Sequence, residues 1–379
     1  MERVKQAPPG DVMPDSPSPA RLLDGHCTVF SHENSEVPNS RVIGDRQAYS
    51  CTWESPPPPP APSEITLYAA SWPPYVLLLV SCLAVAASGL GGNAARVMLQ
   101  NSFVKNRFFA KYNYIVPNTL GSFLMGLFVR IIPPENTLPL SYRSFCVGFC
   151  GSFTTFSSWI VTLMVQSTAA DAFEHLFIGG ALPIMFFLWG RDCGRGVRWC
   201  CEHVFGCPWE TWPSHPSRLR SIDAVWFLFL VIAAILAPVI VQVQINKGRI
   251  RVISTDDVRT VVIAPAGAVT RFLLSVYLNK KTSLAEFPLG TLAANLLGVL
   301  LAIIMLNMEL THIFDEWYVV VQHGICGALS TVSSLVNELV SFHGCGRVVF
   351  AYVYALVSVV VAIIIAGIGR PQNYHRSVN

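Results

Sequence analysis

Residues 150–159 read CGSFTTFSSW. More than half of these positions are Ser, Thr or Gly, although the surrounding stretch is apolar enough to cross a membrane. Residues 326–335 read CGALSTVSSL and keep Cys, Gly, Thr, Ser and Ser in the same places. A lipid-embedded helix with this much small and polar material needs a reason, and the reason must apply twice.

Composition fixes the solvent. The 379-residue chain is 52% hydrophobic and 13% charged, with a mean hydropathy of +0.48. A soluble domain carries roughly 25% charged residues, so this is a polytopic membrane protein. A net charge of +3, with basic residues scattered at the ends of apolar runs, argues against a nucleic-acid partner and for interfacial anchors in the lipid bilayer.

Residues 1–72 are rich in Pro and Ser, contain PPPPPAP at 56–62 and lack an apolar run, which predicts a disordered tail. No basic, apolar, cleavable pattern suggests a signal peptide. Beyond Trp72, apolar runs fall near 73–92, 113–132, 141–166, 172–190, 222–244, 258–278, 285–307, 317–341 and 347–369. The expectation is an all-α protein of nine transmembrane helices.

Internal similarity organises them. Asn118 and Gly121 recur as Asn295 and Gly298, GGNAAR at 91–96 recurs as AGAVTR at 266–271, and the opening motif recurs at nearly the same offset. The chain reads as two four-helix repeats, 73–192 and 258–370. Between them, 193–257 holds a cysteine-containing loop and a linker helix at 222–244, and 371–379 is a tail. One linking helix makes the second repeat run antiparallel to the first, an inverted pair.

A glycine-rich first helix ending in Arg, a second helix with Asn and then Gly three residues on, and a third reading Cys-Gly-x-x-Thr-Thr-Phe-Ser-Ser resemble the Fluc (CrcB) fluoride channels. The duplicated form resembles the eukaryotic fluoride exporters called FEX. The resemblance covers about 73–370. It implies a passive, fluoride-selective channel exporting cytosolic fluoride, built as an internal pseudo-dimer that works as a monomer, in the plasma membrane. It also implies a structural Na⁺ held by backbone carbonyls of Gly151, Thr154, Gly327 and Ser330, where both third helices break and cross.

Fluoride is strongly hydrated, and a dry interior must replace its water with dipoles. Candidate donors are the amides of Asn118 and Asn295, the hydroxyls of Thr155, Ser157, Thr331 and Ser333, and Tyr354 with Ser358 on one face of the last helix. Phe156 and Trp159 occupy positions that the family fills with pore-facing Phe, whose ring edges attract anions. The second repeat has Val332 and Leu335 there, so one conducting and one vestigial pore are expected.

Each candidate also has a structural reading. Either Asn can bond a neighbouring helix, and Phe156 and Trp159 can simply pack. Arg96 and Arg271, at the expected helix ends, can snorkel, and Glu338, near another end, can reach water. Cys193, Cys200, Cys201 and Cys207 crowd one loop without a C-x-x-C pair, which argues against zinc.

The competing class is an ion-coupled secondary transporter with inverted repeats. It normally needs a midplane acid, whereas Asp171, Glu174, Asp192 and Glu338 lie toward span ends. No P-loop, H-E-x-x-H or nucleophile elbow suggests an enzyme.

Overall fold

The structure is a computed structural model that describes residues 73–133, 135, 138–206, 216–247, 253–279, 287–310 and 317–369. The expected disordered tail, Cys207 and residues 371–379 lie outside the described residues. Among the described residues there is helix and no strand. The main helices are α1 (Pro74–Phe103), α2 (Ile115–Ile131), α3 (Pro139–Met164), α4 (Ala169–His203), α5 (Pro216–Asn246), α6 (Thr255–Leu278), α7 (Leu289–Leu310), α8 (Tyr318–Gly344) and α9 (Val348–Ile368).

Eight of these are long and apolar enough to cross a membrane. The remaining one, α2, has 17 residues and rises about 25 Å at ~1.5 Å per residue, a little short of the ~30 Å hydrocarbon core. The multi-pass membrane reading therefore holds.

Helix starts follow local chemistry. Pro74 opens α1 where no intrahelical N–H is needed. Thr168 caps α4 by accepting the Asp171 N–H, and Ser254 with Asp257 forms a reciprocal capping box at α6. Before α4, Lys111 of the short helix Arg107–Lys111 reaches Glu174 at 2.7 Å and Asp171 at 3.1 Å. These acids raise the pKa of the Lys111 ammonium, and both are tied to a cation at a helix end.

Three boundaries differ from the sequence reading. The fourth helix continues to His203, so 193–203 is helical and carries Cys193, Cys200 and Cys201. The run lacks proline, and Gly194 is buried against Arg130 of α2. Arg96 and Arg271 are each followed by seven further helical residues, since neither following segment (97–103 and 272–278) contains the Gly or Pro that would end the helix.

Small residues position the site. A Cβ on Gly92 would stand 2.2 Å from the Phe149 carbonyl oxygen, and one on Gly267 would stand 2.2 Å from that of Ile325. The first helix of each half is thus seated directly on the backbone of its third helix. Gly89 of α1 meets Ala268 of α6. The buried polar residues gather around α3 and α8, and α5 packs along α1 with most of its surface exposed.

Candidate functional site

Both third helices are π-helical before their centres, over Arg143–Cys150 and Gln322–Cys326, and then break. The break is at Thr154 (φ −92°, ψ 157°) and Thr155 (φ −143°, ψ 120°), and again at Ser330 (φ −92°, ψ 150°) and Thr331 (φ −149°, ψ 135°). Gly151 and Gly327 remain helical, so the departure comes later than a break beginning at Gly151 would place it. Helix resumes at Phe156 and Val332, where Thr155 and Thr331 cap it by accepting from Ser158 and Ser334 N–H.

Asparagine braces each break. Thr155 N–H donates to Asn118 Oδ1 (2.8 Å), and Asn118 Nδ2 donates back to the Thr155 carbonyl (3.1 Å). Thr331 and Asn295 repeat the pair at 2.7 and 3.1 Å. Each amide thereby holds one broken peptide, using its oxygen and one N–H. Only the second N–H remains for other work.

Hydroxyls then join the two breaks. Thr154 Oγ1 accepts the Val332 and Ser333 N–H groups, both at 3.2 Å, while Ser330 Oγ accepts the Ser157 N–H at 3.0 Å. Thr154 and Thr331 hydroxyls stand 3.1 Å apart, Ser330 donates to Ser157 at 2.9 Å, and Ser333 donates to the Cys150 carbonyl at 3.0 Å. Every one of these groups is at most 1% exposed. The breaks therefore touch at the centre of the molecule, and each caps the other's second segment.

Arg96 and Arg271 correct the snorkelling reading. They are 1% and 2% exposed. Arg96 donates to the Gly327 carbonyl at 2.8 Å and to the His323 carbonyl, while Arg271 donates to the Val147 carbonyl at 2.8 Å. A Cβ on Gly151 would meet Arg271 at 2.1 Å, and one on Gly327 would meet Arg96 at 2.4 Å. Carbonyls freed near a break offer a guanidinium better solvation than a distant headgroup layer.

The oxygen donors suit a hard monovalent cation such as Na⁺. The Thr155 and Thr331 N–H groups, which a continuing helix would give to the carbonyls of Gly151 and Gly327, go to asparagine instead. Gly151, Thr154 and Ser330 fit that role. The Gly327 carbonyl already accepts Arg96 on one lone pair, so it offers a weaker fourth ligand.

Flanking the centre, the halves diverge. In the second, Glu338 accepts from Tyr354 at 2.7 Å and from Thr291 at 2.5 Å, which replaces the expectation that it merely reaches water. Ser358 is buried, and its hydroxyl makes no hydrogen bond among the described residues. In the first half, Tyr114 meets His175 Nδ1 at 2.9 Å, while Trp159 donates to the His175 carbonyl at 2.8 Å and crosses Phe156 edge-on at 5.5 Å. His175 Nε2 is buried and has no hydrogen-bond partner among the described residues.

The second segment of α3 packs on α7, on α9 and on its own α4, whereas that of α8 packs on α2, on α4 and on its own α9. Sequence reasoning singled out the asparagines, hydroxyls, Phe156 and Tyr354; the structure brings the asparagines and hydroxyls together at the breaks, and places Tyr354 against Glu338, Phe287 and Phe342. It read His175 only as the first-repeat counterpart of Tyr354 and missed Tyr114 and Thr291. The repeat offset pairs His175 with Tyr354 and Tyr114 with Thr291, and that alignment was the available signal.

Compared with known proteins, a family model described as "CrcB-like protein, Camphor Resistance (CrcB)" matches the chain twice, at residues 83–190 and 258–370, more than half its length. The chain is 28% identical over 251 residues to "Fluoride export protein 1" of Candida albicans, covering 60% of each protein. It is 32% identical over 258 residues to the protein of the same name from Neurospora crassa, covering 59% of this chain and 46% of that one. It is also 32% identical over 111 residues to "Fluoride-specific ion channel FluC" of Shewanella amazonensis, covering 29% of this chain and 89% of that one. The chain spans less than two thirds of the length of the fungal relatives. No solved structure matches.

Proposed function

The chain belongs to the CrcB-like protein family, and from that premise we propose that it is a passive fluoride channel, not an enzyme, that lets cytosolic fluoride leave across the plasma membrane. The observation that carries this reading is the pair of broken third helices, capped reciprocally by hydroxyls and braced by Asn118 and Asn295. The two family matches and the recurring glycine contacts support an inverted repeat of four helices on each side of α5, nine crossings among the described residues, with both halves in one chain.

Fluoride entering a dry interior loses hydration worth on the order of tens of kcal/mol. The remaining N–H of each of the Asn118 and Asn295 amides and the hydroxyls of Ser157 and Ser358 offer donors, whereas the Ser333 and Tyr354 hydroxyls must first turn away from the Cys150 carbonyl and the Glu338 carboxylate. The Phe156 and Trp159 ring edges add electropositive surface. Outward flow follows from the inside-negative membrane potential.

When bound by Gly151, Thr154 and Ser330 carbonyls, with Gly327 at the margin, Na⁺ would supply fixed positive charge at the crossing. Arg96 and Arg271 orient the neighbouring backbone and place two further positive charges there.

Fluoride efflux from liposomes containing the purified chain tests the reading. Fluoride should leave and chloride should not, with no proton or sodium gradient imposed. Flux that requires such a gradient would identify a coupled transporter.

A further inference from the structure

Helices α2 and α4 meet backbone to backbone. A Cβ on Gly126 would stand 2.1 Å from the Phe187 carbonyl oxygen, one on Gly190 2.0 Å from that of Phe123, and one on Gly194 2.6 Å from the Arg130 Cβ. The last contact sets Arg130, in the final turn of α2, against the stretch of α4 that carries Arg191 and Arg195 on either side of Gly194. Arg130 and Arg195 are the cations beside Arg191, and among the described residues Asp192 is the acid beside it. Asp192 already pairs with Arg195 at 2.7 Å.

Helix ends account for only one of these charges. Arg130 lies where the C-terminus of α2 favours a cation. Arg191 sits well inside α4, which runs on to His203; it is half-buried and makes no hydrogen bond or ion pair among the described residues. Like charges held this close repel unless a counter-charge joins them. Their depth is that of the lipid headgroups. Trp189, 58% exposed and edge-on to Phe123, marks the membrane interface, and α2 ends at Ile131, while the exposed Met185 and Leu188 lie deeper on α4.

We propose that Arg130 and Arg191, with Arg195 at the rim, bind the headgroup of a bilayer phospholipid that ends in a phosphomonoester. A guanidinium engages phosphate through two parallel N–H···O bonds. Two such forks, one from each helix, call for more acceptors than the two unesterified oxygens of a phosphodiester. A phosphomonoester offers three, with a charge of about −1.5 to −2 at pH 7, which answers the clustered cations. Basic pockets between membrane helices suit such headgroups, and the acyl chains then lie along the exposed Leu188 and Met185 of α4.

Native mass spectrometry of the full chain tests this, with delipidated protein titrated with dioleoyl phosphatidic acid and, in parallel, with dioleoyl phosphatidylserine, an anionic phosphodiester with the same acyl chains. The wild type should retain one phosphatidic acid at least about fivefold more strongly than phosphatidylserine, and an equal concentration of glycerol 3-phosphate, the headgroup without acyl chains, should not displace it. Arg191→Gln and Arg130→Gln should each lower retention at least about tenfold, as the loss of a charge-assisted pair implies. Arg259→Gln, at an arginine paired with Asp256 on α6, should leave it unchanged. Monodisperse elution identifies folded variants. The proposal is overturned by equal retention of the two lipids, by displacement with glycerol 3-phosphate, by wild-type retention in folded Arg191→Gln, or by no retained lipid in the wild type.

Discussion

Thr154 Oγ1 accepts the backbone N–H of Ser333 at 3.2 Å, across the centre of the molecule from a residue 179 positions later. Ser330 answers by accepting the Ser157 N–H at 3.0 Å. A helix that restarts inside a membrane exposes N–H groups that neither lipid nor water satisfies. Here the hydroxyl of the opposite break supplies the missing acceptor, so neither third helix is complete alone.

Removing that hydroxyl should therefore disturb both halves. Thr154→Val, which preserves shape, is expected to lower stability by about 0.5–2 kcal/mol, the range for a lost helix cap. Thr154→Ser should remain near wild type. Thermal unfolding of the two variants in detergent checks this, and equal melting temperatures would show that the trans cap carries no stability.

Gly327 tests the arginine contacts. A Cβ there would meet the Arg96 guanidinium at 2.4 Å, and that guanidinium bonds the Gly327 carbonyl. Gly327→Ala should reduce folded protein and flux more than tenfold. Arg96→Ala removes the obstructing group, so the double variant should fall well short of the sum of the single losses. Additive losses, measured by expression and efflux, would place the arginine elsewhere.

How far the sequence discloses this arrangement depends on the residue. Asn118 and Asn295 are visible because they repeat, and their helix period places them beside the broken motif. Their role is less visible, since an amide donor for an anion and a brace for a peptide look alike in sequence. Arg96 and Arg271 mislead for a physical reason: a charge near an apparent helix end normally reaches the headgroups, and only the freed carbonyls of the opposite half make burial favourable. His175 shows itself only through the repeat offset that pairs it with Tyr354, because a single histidine in an apolar helix carries no ligand spacing.

Gly179 and Trp159 are coupled. A Cβ on Gly179 would stand 2.0 Å from the indole Nε1, which donates to the His175 carbonyl at 2.8 Å. Gly179→Ala should expel the indole, break that bond and change flux, whereas Gly180→Ala, whose Cβ would lie 3.8 Å from the same ring, should be tolerated. Efflux rates of the two variants distinguish them, and equal rates would mean that Trp159 does not shape the pathway.

The final prediction concerns inequality between the halves. The α3 segment carrying Phe156 packs on α9, which carries Tyr354 and Ser358, while the α8 segment carrying Val332 packs on α4, which carries His175. The first combination sets the Phe156 ring edge with the Tyr354 phenol and the Ser358 hydroxyl, and the second sets the aliphatic Val332 and Leu335 with an imidazole already engaged by the Tyr114 phenol. The expected outcome is a single conducting pathway through Phe156 and Tyr354. Phe156→Ala and Tyr354→Phe should each lower fluoride efflux more than tenfold, while Val332→Ala should leave it within about twofold. Asn118→Asp and Asn295→Asp should not divide in this way, because each amide holds a break on which both halves depend. If Phe156→Ala and Val332→Ala each left half of the flux, two working pathways would be present and the inequality would be wrong.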